Sequence, residues 1–204
     1  MQEVVEHEDA RTPGLLTAAS GAGPLLERNY WAVIRHARAS PVALITHLSR
    51  HFERFAPRSL AAFERRGRPA GEPLEVGDEF DVHIRGARLA RVRVIHRDAQ
   101  SLTLGTLPGH PEAGRITFGA YRNRRGDVMF HIRSRARSSS RWRYVGFLGL
   151  GEAMQTRCWG DFVNRVAVAC GDGVVGFIHA DTIRRDDEPE AASTQEPTYR
   201  AEGG

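Results

Sequence analysis

From Phe80 onward the sequence alternates apolar and polar residues, which is the period of a strand with one buried and one exposed face. The alternation returns in five short segments, separated by residues that favour turns. Asn, Gly and Asp in the stretch 123–127 predict a hairpin turn between the last two segments. The pattern therefore predicts five antiparallel strands whose apolar face is covered by another layer. The segments are 80–84, 91–94, 101–104, 116–118 and 128–133.

Before this region the pattern changes to helical spacing. The aromatic and β-branched run 29–36 predicts a first strand. Ser40 and Pro41 then supply an N-cap and a first-turn proline for a helix that ends at Pro57. The stretch 58–67 predicts a second, short helix that ends at a glycine. The apolar stripe of the longer helix consists of Leu44, Ile45, Leu48, Phe52 and Phe55.

The longest helical pattern lies between Leu150 and Gly171, where apolar residues recur every three or four positions. This helix is long enough to cover the apolar face of the sheet. The order of elements is a strand, two helices, a run of strands and a long helix, which predicts an α+β helix-grip architecture. That order resembles the START-like and birch-pollen-allergen-like proteins, in which a curved antiparallel sheet wraps around a C-terminal helix and usually leaves a cavity. The stripe of the long helix contains Leu150, Met154, Cys158, Phe162, Val166 and Ala169.

The two ends of the chain lack such periodicity. Residues 1–27 mix charges with Pro, Gly, Ala and Ser, which predicts a flexible N-terminal arm. Residues 186–204 are charged, contain proline and have few apolar side chains, which predicts a disordered C-terminal tail. A single helix-grip domain is therefore expected over residues 28–185.

Composition favours a cytoplasmic protein. No run approaches the roughly 20 apolar residues of a membrane span, and the acidic start of the chain does not resemble a signal peptide. Cys158 and Cys170 fall in one predicted helix at a separation of about 18 Å, too far for a disulfide, so both are expected to be reduced. The chain has no lysine, and its 29 basic residues are all arginines.

One stretch interrupts the alternating pattern. Residues 104–114 read LGTLPGHPEAG, which closely resembles the signature of the family named domain of unknown function nineteen-ninety, found in bacteria and plants. Weaker agreements are GDEFDVHI at 77–84, VMFHIRSRARSS at 128–139, and Gln155. The resemblance covers residues 28–170 and implies a START-like fold, with no agreed activity. The chain departs from the family at Arg115 and Ile116, where two acidic residues usually stand.

The signature supports two interpretations. Pro108 and Gly109 suit the two central positions of a type II turn, so the stretch is interpreted first as a rigid hairpin between two strands. In the second interpretation the turn lies at the mouth of a cavity, where Thr106, His110 and Glu112 contact a ligand.

Other candidate chemistry carries less weight. His47 and His51 are four residues apart on a helix but lack the third ligand of a zinc site, so no metal is expected. The glycines of 146–153 do not have the spacing of a dinucleotide-binding loop, so this stretch is interpreted as a hinge and no cofactor is expected. His96 continues the apolar side of its strand and is expected to point inward.

The polar face of the predicted sheet is basic and raises the alternative of binding to nucleic acid or anionic lipid. Aromatic residues that would stack on bases are absent from this face, which argues against nucleic acid as the partner. Arginine must also serve as the ordinary solubilising cation in a chain without lysine, so a solvated surface is favoured. The residues are His83, Arg85, Arg91, Arg93, His131, Arg133 and Arg135.

The favoured function is binding of a hydrophobic or amphipathic small molecule in a cavity between the sheet and the C-terminal helix. The same apolar residues would equally fill a closed core. The alternative is an enzyme of the cyclase, isomerase or dehydratase kind with His110 or His96 as general acid or base; no pattern specifies an oligomer. The expected wall consists of Val82, Ile84, Val92, Val94, Leu104, Phe118, Phe130, Ile132, Met154, Cys158 and Phe162, with Trp31 and Trp159 at its ends.

Overall fold

The computed structural model describes residues 14–86, 89–139 and 150–185. Its centre is one curved, eight-stranded antiparallel sheet in the order β2-β3-β4-β5-β6-β7-β1-β8, and two helices lie against its concave face. The strands are β1 (Ala22–Val33), β2 (Ala61–Arg66), β3 (Glu79–Ile84), β4 (Ala90–Arg97), β5 (Ser101–Thr106), β6 (Glu112–Arg122), β7 (Val128–Ser138) and β8 (His179–Arg185). The helices are α1 (Pro41–Phe55) and α2 (Leu150–Cys170).

The prediction of an α+β helix-grip fold is confirmed. The five strands expected from the alternating pattern are β3 to β7, and each pairs antiparallel with the next. The predicted turn between β6 and β7 is also present, since the Asn123 side-chain oxygen accepts hydrogen bonds from the backbone N–H groups of Arg125 and Asp127, both at 2.9 Å. The local signals in this part of the chain agree with the sheet that forms.

Helix α1 begins where the sequence predicts. The Ser40 hydroxyl accepts a hydrogen bond from Ala43 N at 3.2 Å, which caps the first turn, and Pro41 occupies the first helical position. The apolar stripe of the helix is buried against the sheet. Its Phe52 ring lies 5.0 Å from Phe118 and 5.4 Å from Phe162, so α1 fills its side of the concave face with aromatic contacts.

The prediction of a second helix over 58–67 is wrong. Strand β2 takes most of this stretch and pairs with β3 at an edge of the sheet. Ala61 and Phe63 are buried whereas Glu64 is exposed, so this segment has the period of a strand. Alanine, glutamate and arginine favour helices locally, but pairing with β3 and burial of Phe63 outweigh that preference.

The start of the domain differs from the boundary predicted at residue 28. Strand β1 begins at Ala22, so residues 22–27 belong to the sheet and not to a flexible arm. The segment before it also contacts the sheet, since Leu16 N donates to Thr106 O at 2.8 Å. Strand β8 was not predicted. Three of the predicted segments lie wholly or partly outside the described residues: 1–13 of the predicted arm, the tail 186–204, and 146–149 of the predicted hinge.

No helix within the described residues is long and apolar enough to cross a membrane.

Candidate functional site

The signature stretch forms the hairpin between β5 and β6. His110 N donates to Leu107 O at 3.1 Å, and Gly109 has a φ of 96°, as the third position of a type II turn requires. The predicted turn is therefore confirmed. Glycine suits this position because a positive φ is strained for residues that carry a Cβ atom.

Thr106 and His110 are both buried and hydrogen-bond to the hairpin backbone. The Thr106 hydroxyl accepts from Gly114 N at 3.0 Å and donates to Leu16 O at 2.8 Å. The His110 Nδ1 atom lies 3.0 Å from both the backbone N and the backbone O of Glu112, so either tautomer of the ring hydrogen-bonds to the hairpin backbone. These contacts give both side chains a structural role in the hairpin.

Glu112 pairs with a buried arginine that was not among the predicted site residues. Arg28 lies on the concave face of β1, with only 2% of its side chain exposed, and its Nη1 atom donates to Glu112 Oε1 at 3.0 Å. Its Nε atom is also buried and has no hydrogen-bond partner in the described part of the chain. Buried charged groups usually have their hydrogen bonds satisfied. Arg28 departs from this rule, because its Nε–H is an unused donor.

Helix α2 is buried unevenly along its length. Phe162 and Val166, in the C-terminal half, have 0% and 1% exposure, whereas Met154 and Trp159 are only partly buried. In the same N-terminal half, the side-chain oxygen of Gln155 is buried and has no hydrogen-bond partner among the described residues. The contact between helix and sheet is therefore less complete toward the start of α2.

The facing part of the sheet shows the same gradient. Phe118 on β6 is fully buried, but Ile116, the next residue on the concave face of the strand, is partly exposed although it packs against the core. Partly exposed apolar side chains thus lie at the same end of the fold as two polar groups with unused hydrogen-bonding capacity. Ser134 on β7 is the cross-strand neighbour of both Arg28 and Ile116, and the Trp159 ring lies 5.8 Å from Phe118. We name this set the Arg28 surface: Arg28, Glu112, Ile116, Ser134, Gln155 and Trp159.

The residues predicted to line a cavity are mainly core residues. Ile84 and Met154 are partly buried. The predicted wall residues on β3 and β4 belong to the same buried cluster as the apolar stripe of α1. Of all the residues predicted for the wall and the rim, only Glu112 and Trp159 belong to the Arg28 surface. The buried members are Val82, Val92, Val94, Leu104, Phe118, Phe130, Ile132, Cys158 and Phe162.

Two residues expected to face inward lie on the outside. His96 is exposed and lies 3.1 Å from Asp98, because a β-bulge between Val94 and His96 reverses the alternation. The predicted inward orientation of His96 is therefore wrong. Trp31 is on the outer face of β1, where its ring stacks on His179 at 3.6 Å, so it does not close an end of the concave face.

Several outer-face arginines pair with carboxylates. Arg93 binds Glu79 at 2.7 Å, and Arg133 Nη2 donates to the buried Glu27 at 2.8 Å. Burial alone raises the pKa of Glu27, but the hydrogen bond from Arg133 and the charges of Arg133 and Arg135 more than offset it, so the pKa lies below its usual value. These contacts reduce the charge available to an anionic partner.

No cluster of three side chains suited to hold a metal ion occurs in the described ranges. The His47 and His51 rings contact each other edge to face, with centroids 4.8 Å apart.

His131, also on the outer face, predicts a pH dependence of stability. Burial, and then the positive charge of Arg133, lower its pKa from 6.5 to about 4. The unfolded chain therefore takes up the proton first. The free energy of unfolding is expected to fall by up to about 3 kcal/mol as the pH drops from 6.5 to 4. Urea unfolding across this range measures how steeply the free energy of unfolding depends on pH. His131→Gln should reduce this dependence, and His83→Gln, at an exposed position, should leave it unchanged. Equal pH dependence in the two variants would contradict the role given to His131.

A curved antiparallel sheet that grips a long C-terminal helix defines the class of helix-grip proteins. The di-domain ARO/CYC StfQ from the steffimycin biosynthetic pathway has a similar fold, with a TM-score of 0.50 and 9% sequence identity over 76% of this chain and 52% of that chain. This chain therefore spans about half of that protein. At this identity the likeness concerns the fold alone.

Two further solved structures are similar at lower TM-scores. A protein from Thermobifida fusca gives 0.46 at 14% identity, covering 72% of this chain and 95% of that one. The major latex-like protein 151 from Panax ginseng gives 0.38 at 16% identity, covering 67% and 96%. No curated protein matches the chain.

The family model described as Domain of unknown function (DUF1990) matches residues 49–165, which is more than half of the chain. The chain therefore belongs to this family, as its signature implied.

Proposed function

We propose that the protein binds a hydrophobic or amphipathic small molecule at the Arg28 surface, between the concave sheet and the N-terminal half of α2. The observation that carries this proposal is the gradient of burial. Ile116 and Trp159 remain partly exposed on faces whose neighbours Phe118 and Phe162 are fully buried. An apolar lining with a few polar groups is what small-molecule sites require, and the helix-grip architecture is compatible with ligand binding.

The two cysteines support a cytoplasmic location for this binding. Both are free and buried, and burial raises the pKa of the Cys158 thiol to about 12. Such thiols are unreactive and are typical of proteins kept in a reducing compartment.

A bulky substitution at Ile116 tests the proposal. Ile116→Trp adds a large ring on the concave side and is expected to weaken binding of the neutral dye Nile red by about tenfold or more, measured by dye fluorescence. Thr117→Trp places the same ring on the outer face of the same strand and should leave the affinity unchanged. Equal binding by wild type and Ile116→Trp would contradict the proposal, and so would a wild-type protein that binds no dye.

Native mass spectrometry of the protein purified from its own organism complements this test. A bound molecule of defined mass, absent from the Ile116→Trp protein purified in the same way, would identify the class of the natural ligand.

A further inference from the structure

We infer that the Arg28 surface holds its ligand by a neutral hydroxyl group, which accepts a hydrogen bond from Arg28 Nε and forms a second one with the side-chain amide of Gln155. This inference rests on the proposed function and deepens it, because it specifies the polar chemistry of the ligand.

Arg28 and Gln155 lie at similar distances from the place where α2 and β1 meet. At the opposite end of α2, Gly171 lies so close to Ile34 that an added Cβ would be 2.5 Å from the Ile34 side chain. The end of α2 thus meets the end of β1. Measured back from there, Gln155 is about 22 Å along the helix from Cys170, and Arg28 is about 20 Å along the strand from Ile34.

Both side chains belong to the facing surfaces of helix and sheet. Gln155 precedes Cys158 and Phe162 by three and seven residues, which places it on the same helix face as these two buried residues. Arg28 precedes Tyr30 by two residues on β1, so both lie on the concave face, and Tyr30 is 1% exposed. Helix α2 contacts β1 directly.

The unused hydrogen-bonding groups specify what the ligand must offer. Arg28 Nε is a donor without an acceptor, and Gln155 Oε1 is an acceptor without a donor, among the residues that the structure describes. A half-turn of the amide exchanges its oxygen for its NH₂ group, so Gln155 can present either. A hydroxyl both accepts and donates, and it therefore matches Arg28 together with either orientation of Gln155.

The charge balance disfavours a carboxylate. Glu112 already neutralises Arg28 at 3.0 Å, and its own side chain is only 16% exposed. A ligand carboxylate would lose its hydration and lie near a second negative charge, whereas a neutral hydroxyl incurs neither cost. An alcohol or phenol is therefore expected to bind more tightly than an acid or a hydrocarbon of the same size.

Three naphthalenes of similar size test this expectation. At pH 7, titration calorimetry should show 2-naphthol binding about tenfold more tightly than 2-methylnaphthalene, with 2-naphthoate no tighter than the hydrocarbon. Gln155→Leu should remove most of the advantage of 2-naphthol. Arg157→Ala changes an exposed residue of the same helical turn and should preserve it.

A second variant tests the arginine without leaving an unpaired charge. Arg28→Met combined with Glu112→Gln, checked for a native circular dichroism spectrum, should also bind 2-naphthol no better than 2-methylnaphthalene. Equal affinity of the wild type for all three compounds would overturn the hydroxyl inference and leave the proposed function standing. Tightest binding of 2-naphthoate would overturn the hydroxyl inference and indicate an anion site. An undiminished preference for 2-naphthol in both variants would also overturn it, because contacts other than Arg28 and Gln155 would then recognise the hydroxyl. Failure of all three compounds to bind would overturn the proposed function itself.

Discussion

Replacing Gly114 with alanine is expected to lower the free energy of unfolding by about 3 kcal/mol or more. Gly114 lies on β6 directly opposite Ala136 of β7. An added Cβ would overlap the carbonyl oxygen of Arg135 and lie 2.7 Å from the Ala136 Cα atom. Because these are backbone atoms of two paired interior strands, they cannot move away without breaking ladder hydrogen bonds.

The same substitution at Gly119 provides the control. Gly119 is on the same strand, but the nearest atom to its added Cβ would be His131 Nδ1 at 3.7 Å, which is ordinary contact. Gly119→Ala is expected to leave stability within about 1 kcal/mol of wild type, since it also reduces the entropy of the unfolded chain. Urea unfolding followed by circular dichroism compares the two variants. If Gly114→Ala were as stable as Gly119→Ala, the close approach of β6 and β7 would not be a constraint.

The signature stretch thus has a structural explanation at most of its positions. Gly109 supplies the positive φ of the turn, Thr106 bonds the backbone of Gly114, and Gly114 allows β7 to approach. Only Glu112 links the hairpin to the Arg28 surface, through its ion pair with Arg28. The stretch that interrupts the strand alternation therefore serves mainly to form the tight hairpin between β5 and β6.

Elements with a local signal were predictable from sequence. Strands β3 to β7 alternate apolar and polar residues because one face is buried, and this requirement is visible without knowing the partner strand. Helix α1 has a cap at Ser40 and a buried stripe at helical spacing, so the residue at which it begins could be predicted.

Elements that depend on a neighbour were not predictable. Strand β8 is mostly exposed and is defined by its pairing with β1. Strand β2 was also missed, because residues 61–66 favour a helix by composition and are defined as a strand only by their pairing with β3. The bulge before His96 shows in the sequence only as two consecutive apolar residues, Val94 and Ile95, and this pair does not specify the side on which the histidine emerges.

The candidate site was the least predictable part. Arg28 and Glu112 are 84 residues apart, and they meet only because β7 pairs with both β1 and β6. Nothing in the sequence around Arg28 distinguishes it from the many arginines that face solvent. Its function as a buried partner depends on the register of three strands, which a single sequence does not specify.

A double-mutant cycle on Arg28 and Glu112 is expected to show strong coupling. Arg28→Met leaves the Glu112 carboxylate without its partner, and Glu112→Gln leaves a cation that is 2% exposed, so each change is expected to cost about 3 kcal/mol. The double variant removes both charges and should be about 2 kcal/mol more stable than the sum of the single effects implies. Urea unfolding of the four proteins gives the coupling energy.

The ion pair between Arg66 and Asp81 is the matched control, because its atoms are also 3.0 Å apart but its side chains are 51% and 23% exposed. Water screens that pair, so the cycle with Arg66→Met and Asp81→Asn should give less than about 1 kcal/mol of coupling. The difference between the two cycles reports how well the fold shields Arg28 from solvent. A coupling for Arg28 and Glu112 no larger than the control value would mean that bulk water reaches the pair. A ligand hydroxyl would then compete with bulk water for the hydrogen bond of Arg28. The preference for 2-naphthol over 2-methylnaphthalene should then disappear together with the coupling.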